Sequence, residues 1–126
     1  MVVALTAAFM RVLVADDDVD AAAALAVLLE SVGYETRTAH NGSAALELAR
    51  RWHPEAIFLD VSMPFIDGDE VCRRLREEGW SRGVLIAAVT GLSKPEDRRR
   101  SRAAGFDHHL VKPVDPRVIL DLLQSL

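Results

Sequence analysis

The run Val12-Leu13-Val14-Ala15-Asp16-Asp17-Asp18 leads an apolar segment straight into three consecutive carboxylates. Adjacent acids repel, which raises the pKa of at least one of them or calls for a cation. Other short apolar runs also end in reactive groups: Ala56-Ile57-Phe58-Leu59 in Asp60, the run 84–89 in Thr90, and 109–111 in Lys112. Singly, each has an ordinary explanation as a helix cap, a strand-end hydroxyl or a solvated ammonium. Together they put acids, a hydroxyl and an amine at the ends of four apolar runs. Several carboxylates with room left for water suit octahedral Mg²⁺, which takes few protein ligands.

The elements that must position these groups follow from periodicity. Strands are expected at 12–15, 35–39, 56–59, 84–89 and 109–111, with helices between them. The first helix, over 20–32, places Leu25, Leu28, Leu29 and Val32 on one face, and Gly33 stops it. A second spans 43–52 after an Asn41-Gly42 turn, and a third about 69–78. Ser93-Lys94-Pro95-Glu96 spells a capping box with proline in the first turn, so a fourth helix starts there and ends at Gly105. Asp115-Pro116 opens the fifth, with Ile119, Leu122, Leu123 and Leu126 as its buried stripe. Strict alternation with near-continuously apolar strands predicts an α/β fold, a doubly wound parallel sheet covered on both faces. In such sheets ligands bind beyond the carboxyl ends of the strands, where the reactive groups stand.

The chain has 126 residues, half of them hydrophobic, with a net charge of −4. That length suits one core, and that charge argues against broad, charge-driven binding of nucleic acid. A lone Cys72 excludes an internal disulfide and fits a reducing, cytoplasmic setting. The opening MVVALTAAFM lacks a basic n-region and is too short to span a bilayer, so no membrane role is expected. Residues 1–10 read as a frayed N-terminal extension and 11–126 as one domain.

Arg11 to Leu126 resembles the response-regulator receiver domains of two-component signalling. The resemblance rests on VLVADDD, on FLDVSMPFIDG from Phe58 to Gly68, on Val89-Thr90-Gly91, and on GFDHHLVKP from Gly105 to Pro113. It implies a flavodoxin-like five-stranded sheet of order 2-1-3-4-5. It makes Asp60 the phosphoacceptor, with Asp16, Asp17, Asp60 and the backbone carbonyl of Ser62 holding Mg²⁺. Thr90 and Lys112 would contact the phosphoryl oxygens, and Thr90 with His109 would form the conformational switch, His109 filling space that Thr90 vacates. The donor would be a histidine kinase or a histidine phosphotransfer protein, and a downstream protein would read the result. A cis Lys112–Pro113 bond is also implied.

The physical logic agrees with these roles. A carboxylate attacking phosphorus brings two anions together, so a cation and an ammonium must offset the charge. The chain has neither a GxxxxGK[ST] loop nor a GxGxxG motif, so the phosphoryl group is expected from a partner. His109 stands where the family often has Tyr or Phe, and Gly91, where Ala is common, is expected to loosen the loop after the fourth strand. Competing readings are a receiver excised from a hybrid sensor kinase, an unphosphorylated interaction module, and a Mg²⁺-dependent aspartyl-phosphate hydrolase. The last needs Thr or Val where Asp20 stands. A signalling switch, not an enzyme, is the expected class.

Overall fold

The expected alternation is present in the computed structural model, which describes residues 10–126. In chain order the elements are β1 (Arg11–Ala15), α1 (Val19–Ser31), β2 (Glu35–Ala39), α2 (Gly42–Trp52), β3 (Ala56–Asp60) and α3 (Gly68–Arg76). A 3-10 turn (Gly79–Gly83) follows, then β4 (Leu85–Thr90), α4 (Pro95–Ala104), β5 (His108–Val111) and α5 (Pro116–Gln124). The five strands are parallel and ordered 2-1-3-4-5, with α1 and α5 on one face and α2 and α3 on the other.

Period-two alternation explains how apolar strands serve both faces. Leu13, Ala15, Ile57, Leu59, Ile86 and Ala88 point to one side and pack on Leu46, Val71 and Leu75. Val12, Val14, Ala56, Phe58, Leu85 and Ala87 point to the other and meet Ala22, Leu29, Ile119 and Leu123. The register sets Val14 beside Phe58, and Asp60 beside Val89. It thereby lines up the strand ends that carry the polar groups.

Side chains satisfy the exposed N–H groups at helix starts. Asp18, Asn41 and Asp67 accept from Ala21, Ala44 and Glu70 at 3.1, 2.8 and 2.9 Å. Each such cap contributes about 1 kcal/mol. The expected box on α4 is displaced by one residue: Ser93 does not cap, and Asp97 accepts from the Lys94 N–H at 3.1 Å. Proline at the first helical position leaves Lys94 as the flanking residue, which puts Asp97 rather than Glu96 within reach. Gly105 ends α4 at φ 109°, a left-handed conformation open to glycine.

Other departures have physical causes. The buried stripe of α1 is Ala22, Ala26 and Leu29, while Val32 lies past the helix end and is exposed. Small side chains let α1 approach the sheet closely, so the alanines, not the larger Leu28, face inward. Leu126 lies beyond the end of α5 and is exposed. α3 stops at Arg76 because Ser81 folds back, its hydroxyl donating to the Leu75 carbonyl at 2.6 Å. β4 reaches Thr90 itself, paired with Val111. Gly91 has no positive φ, and a Cβ there would meet open space.

Arg76 ties the far end of the sheet together. It donates to the carbonyls of Ser81, Val84 and Gly105 and to the Asp107 carboxylate at 2.7 Å. Of the expected N-terminal extension, residues 1–9 lie outside those described, whereas the Met10 carbonyl accepts from the Glu35 N–H at 2.9 Å. No helix among the described residues is long and apolar enough to cross a membrane.

Candidate functional site

Parallel strands deliver their carboxyl ends to one edge, and four of them deliver polar groups there. β1 runs directly into Asp16, whose N–H donates to the Ala39 carbonyl and so keeps the chain in the sheet for one more residue. Asp16 is 8% exposed and Asp60, the last residue of β3, only 4%. Asp17 is exposed and Asp18 caps α1 instead. Asp16, Asp17 and Asp60 each bring one carboxylate oxygen within 4.8 Å of the others.

Backbone donors aim both buried carboxylates. The Asp16 Oδ1 accepts from the Asp18 N–H at 2.9 Å, and the Asp60 Oδ1 accepts from the Ser62 N–H at 3.0 Å. Their second oxygens face one ammonium: Lys112 Nζ lies 3.3 Å from Asp16 Oδ2 and 3.5 Å from Asp60 Oδ2. The Lys112–Pro113 bond is cis, and the Lys112 N–H is anchored to the Thr90 carbonyl at 2.8 Å.

Burial pushes the Asp60 carboxyl up to about 6, and its neighbour Asp16 adds to the rise; the Ser62 N–H and Lys112 oppose it. Burial pulls the Lys112 ammonium down, but Asp60 and Asp16 outweigh that and leave it above its ordinary value. The pocket therefore holds more negative charge than one lysine answers.

The loop after β3 is shaped by close approach. A Cβ on Gly68 would lie 2.4 Å from the Asp60 carbonyl oxygen, so only glycine lets α3 start against the strand end. Between them Phe65 adopts φ 68° with its ring fully in solvent. For a non-glycine residue that left-handed conformation costs about 1–2 kcal/mol.

Thr90 is 1% exposed and its Oγ1 accepts from the Leu92 N–H at 3.1 Å. His109, half-buried on β5, sits behind it with its ring between α4 and the loop after β4. All the residues singled out by sequence thus stand at or beside one edge. Asp16, Asp17, Asp60 and Lys112 meet directly, while Thr90 and His109 form a second group linked through Leu92.

Comparison with known proteins agrees with this geometry. The response regulator receiver domain family matches residues 12–124. The chain belongs to that family. Among solved structures it is similar to the chemotaxis protein CheY4 of Vibrio cholerae, at 31% identity and a TM-score of 0.87, covering 93% of this chain and 98% of the other. A CheY-like receiver domain protein of Methanospirillum hungatei matches at 26% identity and a TM-score of 0.86, over 93% of this chain and 92% of that one. The response regulator PleD of Caulobacter vibrioides is 35% identical over 92% of this chain, which spans only 26% of PleD. An uncharacterized 14.6 kDa protein of Leptolyngbya boryana is 38% identical over 95% of this chain and 92% of its own length.

Sequence reasoning missed two polar residues near this edge. Asp69 is buried at the start of α3, with one carboxylate oxygen lacking a hydrogen-bond partner and the other 3.4 Å from Arg100 of α4. Burial and Asp67 raise its pKa, and Arg100 opposes them. Ser101 is buried on α4 and touches His109. At the opposite end of β5, Asp107 turns away from His109, toward Arg76 and the Ile86 N–H. Only the neighbouring sequence of these residues was visible, and their partners come from other elements.

Proposed function

We propose that residues 11–126 form a phosphoacceptor receiver module in a phosphorelay. Asp60 takes a phosphoryl group from a phosphohistidine on a histidine kinase or a histidine phosphotransfer protein. The observation that carries this reading is the pocket itself, a buried strand-end carboxylate flanked by two more acids and by Lys112.

The donor set fits a hard divalent cation. All three side-chain ligands are oxygens within reach of one ion, Asp17 leaves one side open to water, and the negative charge exceeds what Lys112 neutralises. Asp16, Asp17 and Asp60, with the Ser62 carbonyl, would hold Mg²⁺. When bound, the ion offsets charge on the transferring phosphoryl group. Around it, the Ser62 N–H orients Asp60 for attack, Lys112 Nζ contacts one phosphoryl oxygen and the Thr90 hydroxyl another. With a carboxyl near 6, Asp60 is mostly ionised at neutral pH and available as nucleophile.

The product is a switch rather than a turnover enzyme, acting in the cytoplasm on a downstream protein, with no role for nucleic acid or membrane. Several curated relatives are longer: this chain spans 47% of the probable transcriptional regulator ycf27 of Cyanophora paradoxa. A free-standing receiver and a segment of a hybrid sensor kinase therefore share this chemistry.

Incubation with acetyl phosphate and Mg²⁺ is expected to add one phosphoryl group by intact mass. Asp60→Asn should abolish that increment, and Asp17→Ala should weaken Mg²⁺ binding while Asp60 remains in place. Undiminished labelling of Asp60→Asn would sink the assignment.

A further inference from the structure

His109 carries two hydrogen bonds that a tyrosine or phenylalanine in its place would not reproduce. Its Nε2 lies 2.7 Å from the Leu92 carbonyl oxygen, and its Nδ1 lies 2.9 Å from the Ser101 hydroxyl. A carbonyl oxygen can only accept, so Nε2 holds the hydrogen. In a neutral imidazole Nδ1 is then a bare acceptor, and Ser101 must donate.

The chain of contacts continues toward the acidic pocket. Leu92 donates its own N–H to the Thr90 Oγ1 at 3.1 Å. Thr90, Leu92, His109 and Ser101 thus form one hydrogen-bonded line from the end of β4, through the loop, across β5, and into the middle of α4. Ser101 is 4% exposed, so its hydroxyl has little access to water as an alternative partner.

The helix at the end of this line is poorly secured by apolar contact. The residues that α4 buries are Asp97, Ser101 and Ala104, two of them polar. Arg98, Arg99 and Arg102 face solvent. A helix fastened this way follows its hydrogen bonds.

We propose that Ser101 is a positioning residue, through which the hydrogen-bonding state of Thr90 reaches α4 by way of His109. When the Thr90 hydroxyl turns toward a phosphoryl oxygen it releases the Leu92 N–H. The loop then moves the Leu92 carbonyl, and the ring and Ser101 follow. The linkage runs through directed bonds, not through a ring filling vacated volume. It rests on the phosphoacceptor reading for its trigger, whereas the fastening of α4 does not.

Nitrogen-15 NMR of the His109 ring and amide exchange test both parts on the full chain. The parent should show the Nε2–H tautomer with Nδ1 as a hydrogen-bonded acceptor. Ser101→Ala should move the Nδ1 resonance to that of an unbonded acceptor and lower α4 protection about fivefold, the scale of one lost hydrogen bond, leaving α1 unchanged. His109→Phe, which keeps ring bulk and loses both bonds, should match it in α4.

Beryllofluoride with Mg²⁺ should then perturb the Leu92 amide in parent and Ser101→Ala alike, but alter α4 exchange in the parent alone. An Nδ1–H tautomer, or an α4 response in Ser101→Ala equal to the parent's, would overturn the proposal. If beryllofluoride left Leu92 of the parent untouched, the phosphoacceptor reading and the trigger would fall. The fastening by Ser101 would still be decided by the tautomer and by protection without ligand.

Discussion

Helices α1 and α4 flank the same sheet and are fastened to it by different forces. α1 presents Ala22, Ala26 and Leu29 to a cluster built on Val12, Val14 and Phe58. α4 presents Asp97, Ser101 and Ala104, and is held by the Asp97 box on Lys94, by Arg100 between Asp97 and Asp69, and by Ser101 on His109. Apolar contact is non-directional and scales with area, so α1 stays wherever its methyl groups are covered. A hydrogen bond needs a partner in a set direction, and one set can be exchanged for another at small net cost. The difference makes α1 a fixed wall and α4 an adjustable one.

The largest effect expected from this contrast lies in α1. Leu29 is fully buried, and Leu29→Ala should lower global stability in urea by about 2–5 kcal/mol. The loss should be the same at pH 4.5 and pH 7, because no charge is involved. A cost below about 1 kcal/mol would erase the distinction between the two helices.

The polar edge should instead show a pH signature. The Asp60 carboxyl rises from an ordinary 3.8 to about 6. Between those values the folded chain holds the proton that the unfolded chain has lost, so stability falls as pH rises through that window and stays low above it. Without divalent cations the fall should be on the order of 2–3 kcal/mol, and Asp60→Asn should remove it, leaving the variant more stable than the parent at pH 7. Denaturation midpoints for the two proteins that run parallel from pH 3.5 to 7 would contradict this.

Smaller effects belong to α4. Arg100 is half-exposed in its pairs with Asp97 and Asp69, so Arg100→Ala should cost about 0.2–1 kcal/mol. That loss should appear as faster amide exchange confined to α4, with reduced sensitivity to salt. Arg98→Ala, on the solvent face, should stay within about 0.5 kcal/mol of the parent. A larger loss from Arg98 than from Arg100 would reverse the proposed roles of the two arginines.

What was legible in the sequence separates along the same line. Strand positions, helix order and the carboxyl-edge groups followed from apolar periodicity and from the polar residues that ended each run. The start of α5 at Asp115-Pro116 was readable because capping is local: Asp115 accepts from the Arg117 N–H in the first turn of that helix. The inward face of α1 was legible in part: Leu29 is buried and Leu25 packs on the same cluster, while the close approach of helix to sheet also buries Ala22 and Ala26, which residue size does not flag, and leaves Val32 exposed. The partners of His109, Asp69 and Arg76 were invisible because they come from elements as much as 31 residues away. Local rules expose apolar fastening and caps; directed bonds between elements need coordinates.

Phe65 has an optical consequence. The native indoles stand away from the carboxyl edge: Trp52 lies at the end of α2 beneath Arg37, 4.7 Å from its guanidinium, and Trp80 stacks on His53 at 4.2 Å. Neither is placed to sense a change at Asp60. The ring of Phe65 projects from the loop that leaves Asp60 and touches nothing that a larger ring would displace. Phe65→Trp would put a fluorophore on the loop between Asp60 and α3 with no core to repack. Under the proposed function, a shift in its emission on adding Mg²⁺ and beryllofluoride would report that this loop responds to occupancy of the strand-end carboxylates.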